Sequence, residues 1–266
     1  MTGATQTAVI GAGMMGEALL AGLLRSRPAD AVVVGEKRAE RAAELTDKYG
    51  VRVVSNLDAA AADTVLLVVK PQDVATVLEE IGPSLRAGQL VVSLAAGITI
   101  AAIEALVPEG VSVVRVMPNT PALVGQGMAA LSPGTHCSED QLAEATDLLS
   151  AAGRTVVVPE KQQDAVTAIS GSGPAYVFLV AEAMVEAGVH LGLPRATAHE
   201  LTVQTLLGAA TMLSETGDHP ALLRENVTSP AGTTAAALRT LEDHGLRAAF
   251  LAALEAARDR SVELGG

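Results

Sequence analysis

Short apolar runs alternate with segments of helical period through the first half of the chain, and the second half turns almost entirely helical. Residues 7–10 form an apolar run that ends at a glycine turn, with Ala18, Leu19, Gly22 and Leu23 recurring behind it at helical spacing. Further strands are predicted over 31–35, 51–54, 64–69, 89–94 and 112–117. The unbroken apolar character of 64–69 suits a strand covered on both faces. Two more strands, over 127–131 and 155–158, flank a predicted helix over 139–150. Strands that alternate with helices require crossover connections, hence a parallel sheet.

From Asp164 onward the pattern predicts helices over 175–191, 196–215, 235–241 and 246–264, the last closing the second domain. The break at Val158-Pro159-Glu160 divides the chain into a dinucleotide-binding domain, 1–160, and an all-helical domain, 161–266. The predicted fold is α/β: a Rossmann-type, doubly wound parallel sheet followed by an all-α dimerisation domain. The helix over 175–191 is apolar on most faces and is expected to be buried all round. Helices this apolar in so short a segment exceed what one copy covers, which predicts a homodimer with intertwined helical domains.

The chemistry sits in the turns. Gly11, Ala12, Gly13, Met14, Met15 and Gly16 follow a strand and open a helix, the setting a dinucleotide-binding turn requires. Gly11 permits the tight bend, Gly13 admits a pyrophosphate to the backbone, and Gly16 allows close packing. The N–H groups and positive dipole end of the helix face the phosphates. Glu36, about 20 residues after the motif, suits the ribose hydroxyls of NAD. Lys37 and Arg38 beside it suit a 2′-phosphate, so the corner reads both ways, or as a solvated helix start. Val69, Lys70 and Pro71, then Ala95, Ala96 and Gly97, then Met117 to Pro121, end three successive strands where ligands of such sheets lie. Ser229 and Pro230 read as an N-cap and first helical residue; Gly232, Thr233 and Thr234 would then offer N–H groups to a carboxylate.

Composition narrows the options. A net charge of −12 with no long basic run argues against a nucleic-acid partner. The start of the chain lacks a basic, apolar leader, and the apolar stretch 175–193 carries Glu182, Glu186 and His190. A soluble cytoplasmic protein without a membrane span is therefore expected. The lone Cys137 excludes an intramolecular disulfide and fits a reducing compartment. Glu182, Glu186 and His190 share one side of their helix but lack the ligand set of a metal site, so no metal is expected.

Taken in order, six motifs resemble the pyrroline-5-carboxylate reductase family over essentially the full length. They are the glycine turn, Val69-Lys70-Pro71, Ala95-Ala96-Gly97, Met117-Pro118-Asn119-Thr120-Pro121, Ser170-Gly171-Ser172-Gly173-Pro174-Ala175-Tyr176 and Ser229-Pro230-Ala231-Gly232-Thr233-Thr234. The resemblance implies NAD(P)H-dependent reduction of 1-pyrroline-5-carboxylate to L-proline, in dimers that often assemble further into decamers of five dimers. It implies cofactor contacts at the glycine turn, Glu36, Lys37, Arg38, Asn56, Val69, Lys70, Pro71, Ala95, Ala96, Gly97 and Asn226. Substrate contacts would fall on Glu160 and, from the partner subunit, on Gly232, Thr233 and Thr234. The cofactor implied is NADP(H), with NAD(H) as the alternative.

Two residues depart from the family pattern: Ala231 stands where a first glycine is common, and Glu36 is acidic where NADP-preferring members usually are not. The imine accepts hydride best when its nitrogen is protonated or hydrogen-bonded, and the Thr234 hydroxyl is the candidate partner. A related hydroxyacid dehydrogenase would carry a lysine in the helix after the glycine-rich segment, and 175–193 contains none.

Overall fold

A computed structural model describes residues 6–265. The first five residues, on which the expected absence of a leader partly rests, lie outside the described residues. The chain forms two compact units, 1–172 together with 257–266, and 173–256.

The first unit is built on an eight-stranded sheet. In chain order it comprises β1 (Thr7–Ile10), α1 (Met14–Leu23), β2 (Val32–Gly35), α2 (Ala39–Tyr49), β3 (Arg52–Val54), α3 (Asn56–Ala59), β4 (Thr64–Leu67) and α4 (Val74–Ile81). β5 (Leu90–Ser93), α5 (Ile100–Glu104), β6 (Ser112–Met117), β7 (Gly127–Pro133), α6 (Glu139–Ser150), β8 (Gly153–Val157) and α7 (Gln163–Val166) follow. Strand order is β3-β2-β1-β4-β5-β6-β7-β8, so the order reverses beside β1.

Alternation along the central strands sends side chains to two cores. Val9, Val34, Leu66, Val92 and Val114 meet Leu19 and Leu20 of α1 and Leu148 of α6 on one face. Ala8, Val33, Val65, Val91 and Val113 meet Leu78 and Ile81 of α4 and Ile103 of α5 on the other. Both faces are covered, which is why these strands read as continuous apolar runs.

One pairing departs from the parallel sheet expected from the sequence: β7 runs antiparallel to β6, with Val116 opposite Leu131. The short link from Pro118 to Gln126 coils into a 3-10 turn and leaves through Gly125 at φ +71. A parallel return needs a crossover of about a dozen residues or more. β8 is again parallel to β7, with α6 as the crossover.

The second unit holds α8 (Gly173–His190), α9 (Arg195–Thr216), α10 (Pro220–Asn226), α11 (Thr233–Asp243) and most of α12 (Leu246–Gly265). α8 and α9 cross closely, since a Cβ on Gly188 would stand 2.9 Å from Ala198 Cβ. Arg195 Nη1 donates to Glu186 at 2.6 Å across that corner. The expectation that α8 is buried all round does not hold within one chain: none of its residues is buried, and Phe178 and Leu179 are each 66% exposed. Too few helices surround it to cover every face. α12 also differs from expectation, because its C-terminal part from Ala257 onward belongs to the first unit. There Ser261 Oγ donates to Asp164 at 2.7 Å, and a Cβ on Gly265 would approach the Gly97 carbonyl to 2.8 Å.

Candidate active site

The carboxyl ends of β1, β2, β4, β5 and β6 share one edge of the sheet, and most of the motif residues of the first unit follow them. Gly11 leaves β1 at φ +96, where a Cβ would press to 2.6 Å from the Val68 carbonyl. Gly13 is the N-cap of α1, no side chain caps it, and a Cβ there would meet nothing within 4 Å. Gly16 differs: a Cβ would overlap the Gly11 carbonyl. An open, uncapped helix N-terminus behind a tight turn fits the pyrophosphate of a dinucleotide. Ala12 is buried and Met14 is 74% exposed, so contacts at Ala12 fall to its backbone.

The turn is held from behind by residues that the sequence reading did not single out. Arg41 Nε donates to the Ala12 carbonyl at 3.1 Å, and its other nitrogens reach Glu17 and Glu44. Glu17 also accepts from Lys48 Nζ and Tyr49 Oη, both at 2.9 Å. The Lys48 and Arg41 hydrogen bonds hold its pKa down at about 2.

A cleft of about 320 Å³ opens beside the turn, lined by residues including Gly11, Glu36, Lys37, Asn56 and Val69. In the acidic-basic corner the charged side chains are paired with neighbouring groups. Arg38 folds back on Glu36: its backbone N, Nε and Nη2 donate at 2.9, 3.1 and 3.0 Å. The Glu36 side chain is 8% exposed, and the Arg38 hydrogen bonds lower its pKa. Lys37 Nζ donates to Glu80 at 2.8 Å, and the buried Asn56 donates to the same oxygen at 3.3 Å.

Beyond β4, Val69 is half-buried, Lys70 is exposed, and Pro71 opens a 3-10 turn. Beyond β5, Ala95 is buried, Ala96 is exposed and Gly97 turns at φ +78. Thr99 then caps α5. Glu160 lies at that helix start, where one carboxylate oxygen accepts from Ile100 N at 2.7 Å and from Arg115 Nη1 at 3.0 Å. Arg115 is buried and carried no motif signal; a charged residue inside the apolar run of β6 is its only trace in the sequence.

Asn119 links two motifs. Its amide nitrogen donates to the carbonyl and Oγ of Ser170 at 3.2 and 3.3 Å, and its oxygen accepts from Met128 N at 2.8 Å. The Ser170 segment is a π-turn, Thr167–Gly171, closed by Ser172 N on the Thr167 carbonyl at 2.8 Å. π-turns of this kind recur at functional sites.

Asn226 ends α10 in the helical unit and is exposed. Ser229 is not the N-cap expected from the sequence. Ser229 to Gly232 form a turn closed by Gly232 N on the Ser229 carbonyl at 3.1 Å. Ala231 sits in it at φ +57, so the helix begins only at Thr233, with Gly232 as an N-cap that no side chain satisfies. Thr233 and Thr234 are thus the first two residues of α11, and their N–H groups are free of the helix ladder. Cys137 is half-buried and its thiol pKa is raised by burial, opposite to an activated nucleophile.

The profile described as "Pyrroline-5-carboxylate reductase dimerisation" matches residues 160–264, and the one described as "NADP oxidoreductase coenzyme F420-dependent" matches 6–97. The chain self-associates through its helical half. It is 51% identical to a pyrroline-5-carboxylate reductase of Corynebacterium melassecola, over 98% of this chain and 99% of that one. It is 44% identical to the Synechocystis enzyme of the same name, over 98% of each chain. Among solved structures, the Coxiella burnetii pyrroline-5-carboxylate reductase superposes with a TM-score of 0.95 at 38% identity, covering 99% of both chains. The Plasmodium falciparum pyrroline carboxylate reductase, solved with NADP bound, gives 0.87 at 30% identity over 98% of both. With relatives this similar over the whole length, and with all six motifs in order, the chain belongs to the pyrroline-5-carboxylate reductase family.

Proposed function

We propose that this protein reduces 1-pyrroline-5-carboxylate to L-proline, the last step of proline biosynthesis, with NADPH or NADH as hydride donor. The full-length match to reductases of that name carries the reading. Bound NAD(P)H would supply hydride to the imine carbon of a substrate whose ring nitrogen arrives already protonated. What the chain contributes is position. The open N-terminus of α1 holds the pyrophosphate, and the loops through Val69, Lys70, Pro71, Ala95, Ala96 and Gly97 support the nicotinamide half. Asn226 supplies a further cofactor contact. From the partner subunit, the uncapped start of α11, at Gly232 and Thr233, receives the substrate carboxylate, and the Thr234 hydroxyl bonds the ring nitrogen. Glu160 borders the substrate through the clamp it makes with Arg115 and Ile100 N.

The working unit is a homodimer, with 161–266 as the substrate-binding and dimerisation domain, and five dimers form a decamer in the cytoplasm. Within Glu160–His190 one 18-residue window is apolar enough to cross a membrane, and little of that window is buried. We assign its exposed apolar surface to the partner subunit because the dimerisation profile covers it. Following absorbance of NADPH and NADH separately with 1-pyrroline-5-carboxylate tests the reading. Oxidation of either cofactor with stoichiometric proline supports it; none with either refutes it. Thr234→Ala should lower turnover at nearly unchanged cofactor affinity, and full turnover would remove Thr234 from catalysis.

A further inference from the structure

The corner after β2 bears on which dinucleotide this enzyme takes. Resting on the dinucleotide reading of the cleft, we infer that the Glu36–Arg38 pair is its specificity-determining element and weakens NADPH relative to NADH. Glu36 directly follows β2, beside Gly11 and Gly35, where the adenosine ribose of a Rossmann-bound dinucleotide lies. Its carboxylate is 8% exposed and fixed by three donors from a single residue. A carboxylate in that place accepts from a ribose 2′-hydroxyl and repels a 2′-phosphate, two like charges at near-contact distance.

Both cations that would offset this repulsion are already engaged. The Arg38 guanidinium forks onto Glu36 itself, presenting two nitrogens to the two carboxylate oxygens. Lys37 is drawn to Glu80, the oxygen that also holds Asn56. Glu44 and Arg41, the other charged groups that bear on Arg38, are themselves paired at 2.9 Å. NADPH binding must therefore open the Glu36–Arg38 fork and turn a guanidinium that is 68% exposed outward to the phosphate, leaving a nearly buried carboxylate without its partner. NADH binding leaves the fork closed.

The test is titration of the full-length protein with NADPH and NADH by the emission of the bound dihydronicotinamide, undisturbed by tryptophan because the chain has none. Wild type, Glu36→Ala and Glu36→Ala/Arg38→Ala are compared. Glu36→Ala should lower the ratio Kd(NADPH)/Kd(NADH) by at least about tenfold, by removing the like charge and freeing Arg38. The double variant should lose most of that gain. Far-ultraviolet circular dichroism and the melting temperature of each variant serve as the control for folding. A ratio that stays within about twofold of wild type in Glu36→Ala, with NADH still bound, overturns the inference while leaving the dinucleotide reading intact. Failure of wild type to bind either cofactor overturns both.

Discussion

Glu17 tests whether the glycine turn depends on the groups packed behind it. Its carboxylate collects Lys48, Arg41 and Tyr49, and Arg41 passes the connection on to the Ala12 carbonyl inside the turn. Hydrogen bonds from Lys48 and Arg41 outweigh burial and lower the Glu17 pKa from 4.5 to about 2. At about 1.4 kcal/mol for each tenfold change in proton affinity, the ionised form contributes up to about 3 kcal/mol to stability. The side chain is 21% exposed, and solvent screening reduces this to about 2 kcal/mol.

The folded-state pKa lies below the unfolded one, so this contribution is present in full above about pH 5 and is lost as the pH falls through 4.5 toward 2. Glu17→Gln keeps an acceptor and removes the charge. Urea unfolding of both proteins at equal concentration, at pH 7 and pH 3, isolates the effect, because the other carboxylates titrate alike in the two. The variant should be less stable by about 2 kcal/mol at pH 7, and the gap should shrink to about 1 kcal/mol at pH 3. A gap equal at the two pH values, or none at pH 7, would refute the reasoning.

Two further substitutions separate binding from folding. Gly13→Val places its side chain in open space at a backbone φ of −69, so the protein should fold with a near-normal melting temperature. Its NADPH affinity should fall by more than about tenfold, because the valine occupies the pyrophosphate approach; wild-type affinity by calorimetry would count against this placement of the phosphates. Ala231→Gly relieves the only positive φ at a non-glycine residue among those described. The left-handed backbone costs alanine about 1 kcal/mol, and the freer unfolded glycine offsets about half of that. Chemical denaturation should therefore show a gain of about 0.5 kcal/mol with kcat retained, and a loss of about 1 kcal/mol would contradict the turn geometry.

Much of the architecture was legible because its causes are local. β1 and β6 fall on the apolar runs at 7–10 and 112–117, and α6 spans 139–150 as read, opening on the capping box of Ser138 and Gln141. Gly11 was readable for the same reason: a bend of that kind excludes a Cβ, and only one residue type lacks it. The start of α11 was misplaced because Ser-Pro before a helical run satisfies two cap preferences at once. Nothing adjacent signals that Ala231 turns left-handed and delays the helix.

Residue order alone thus determined where strands, glycine bends and helices lie, since burial on two faces and backbone sterics act on neighbouring residues. Tertiary structure decided which charges meet. Arg115 and Glu160 are 45 positions apart, Asn119 and Ser170 are 51 apart, and Arg41 reaches back 29 to Ala12. Each pairing depends on strand order and on where loops come to rest, which no local pattern encodes. Even Glu36 and Arg38, two residues apart, read as ribose-binding, phosphate-binding or a solvated helix start, and only the fold shows the guanidinium turned onto the carboxylate. A folded backbone supplies that choice, because the energy of a charge pair depends on distance and burial rather than on sequence separation.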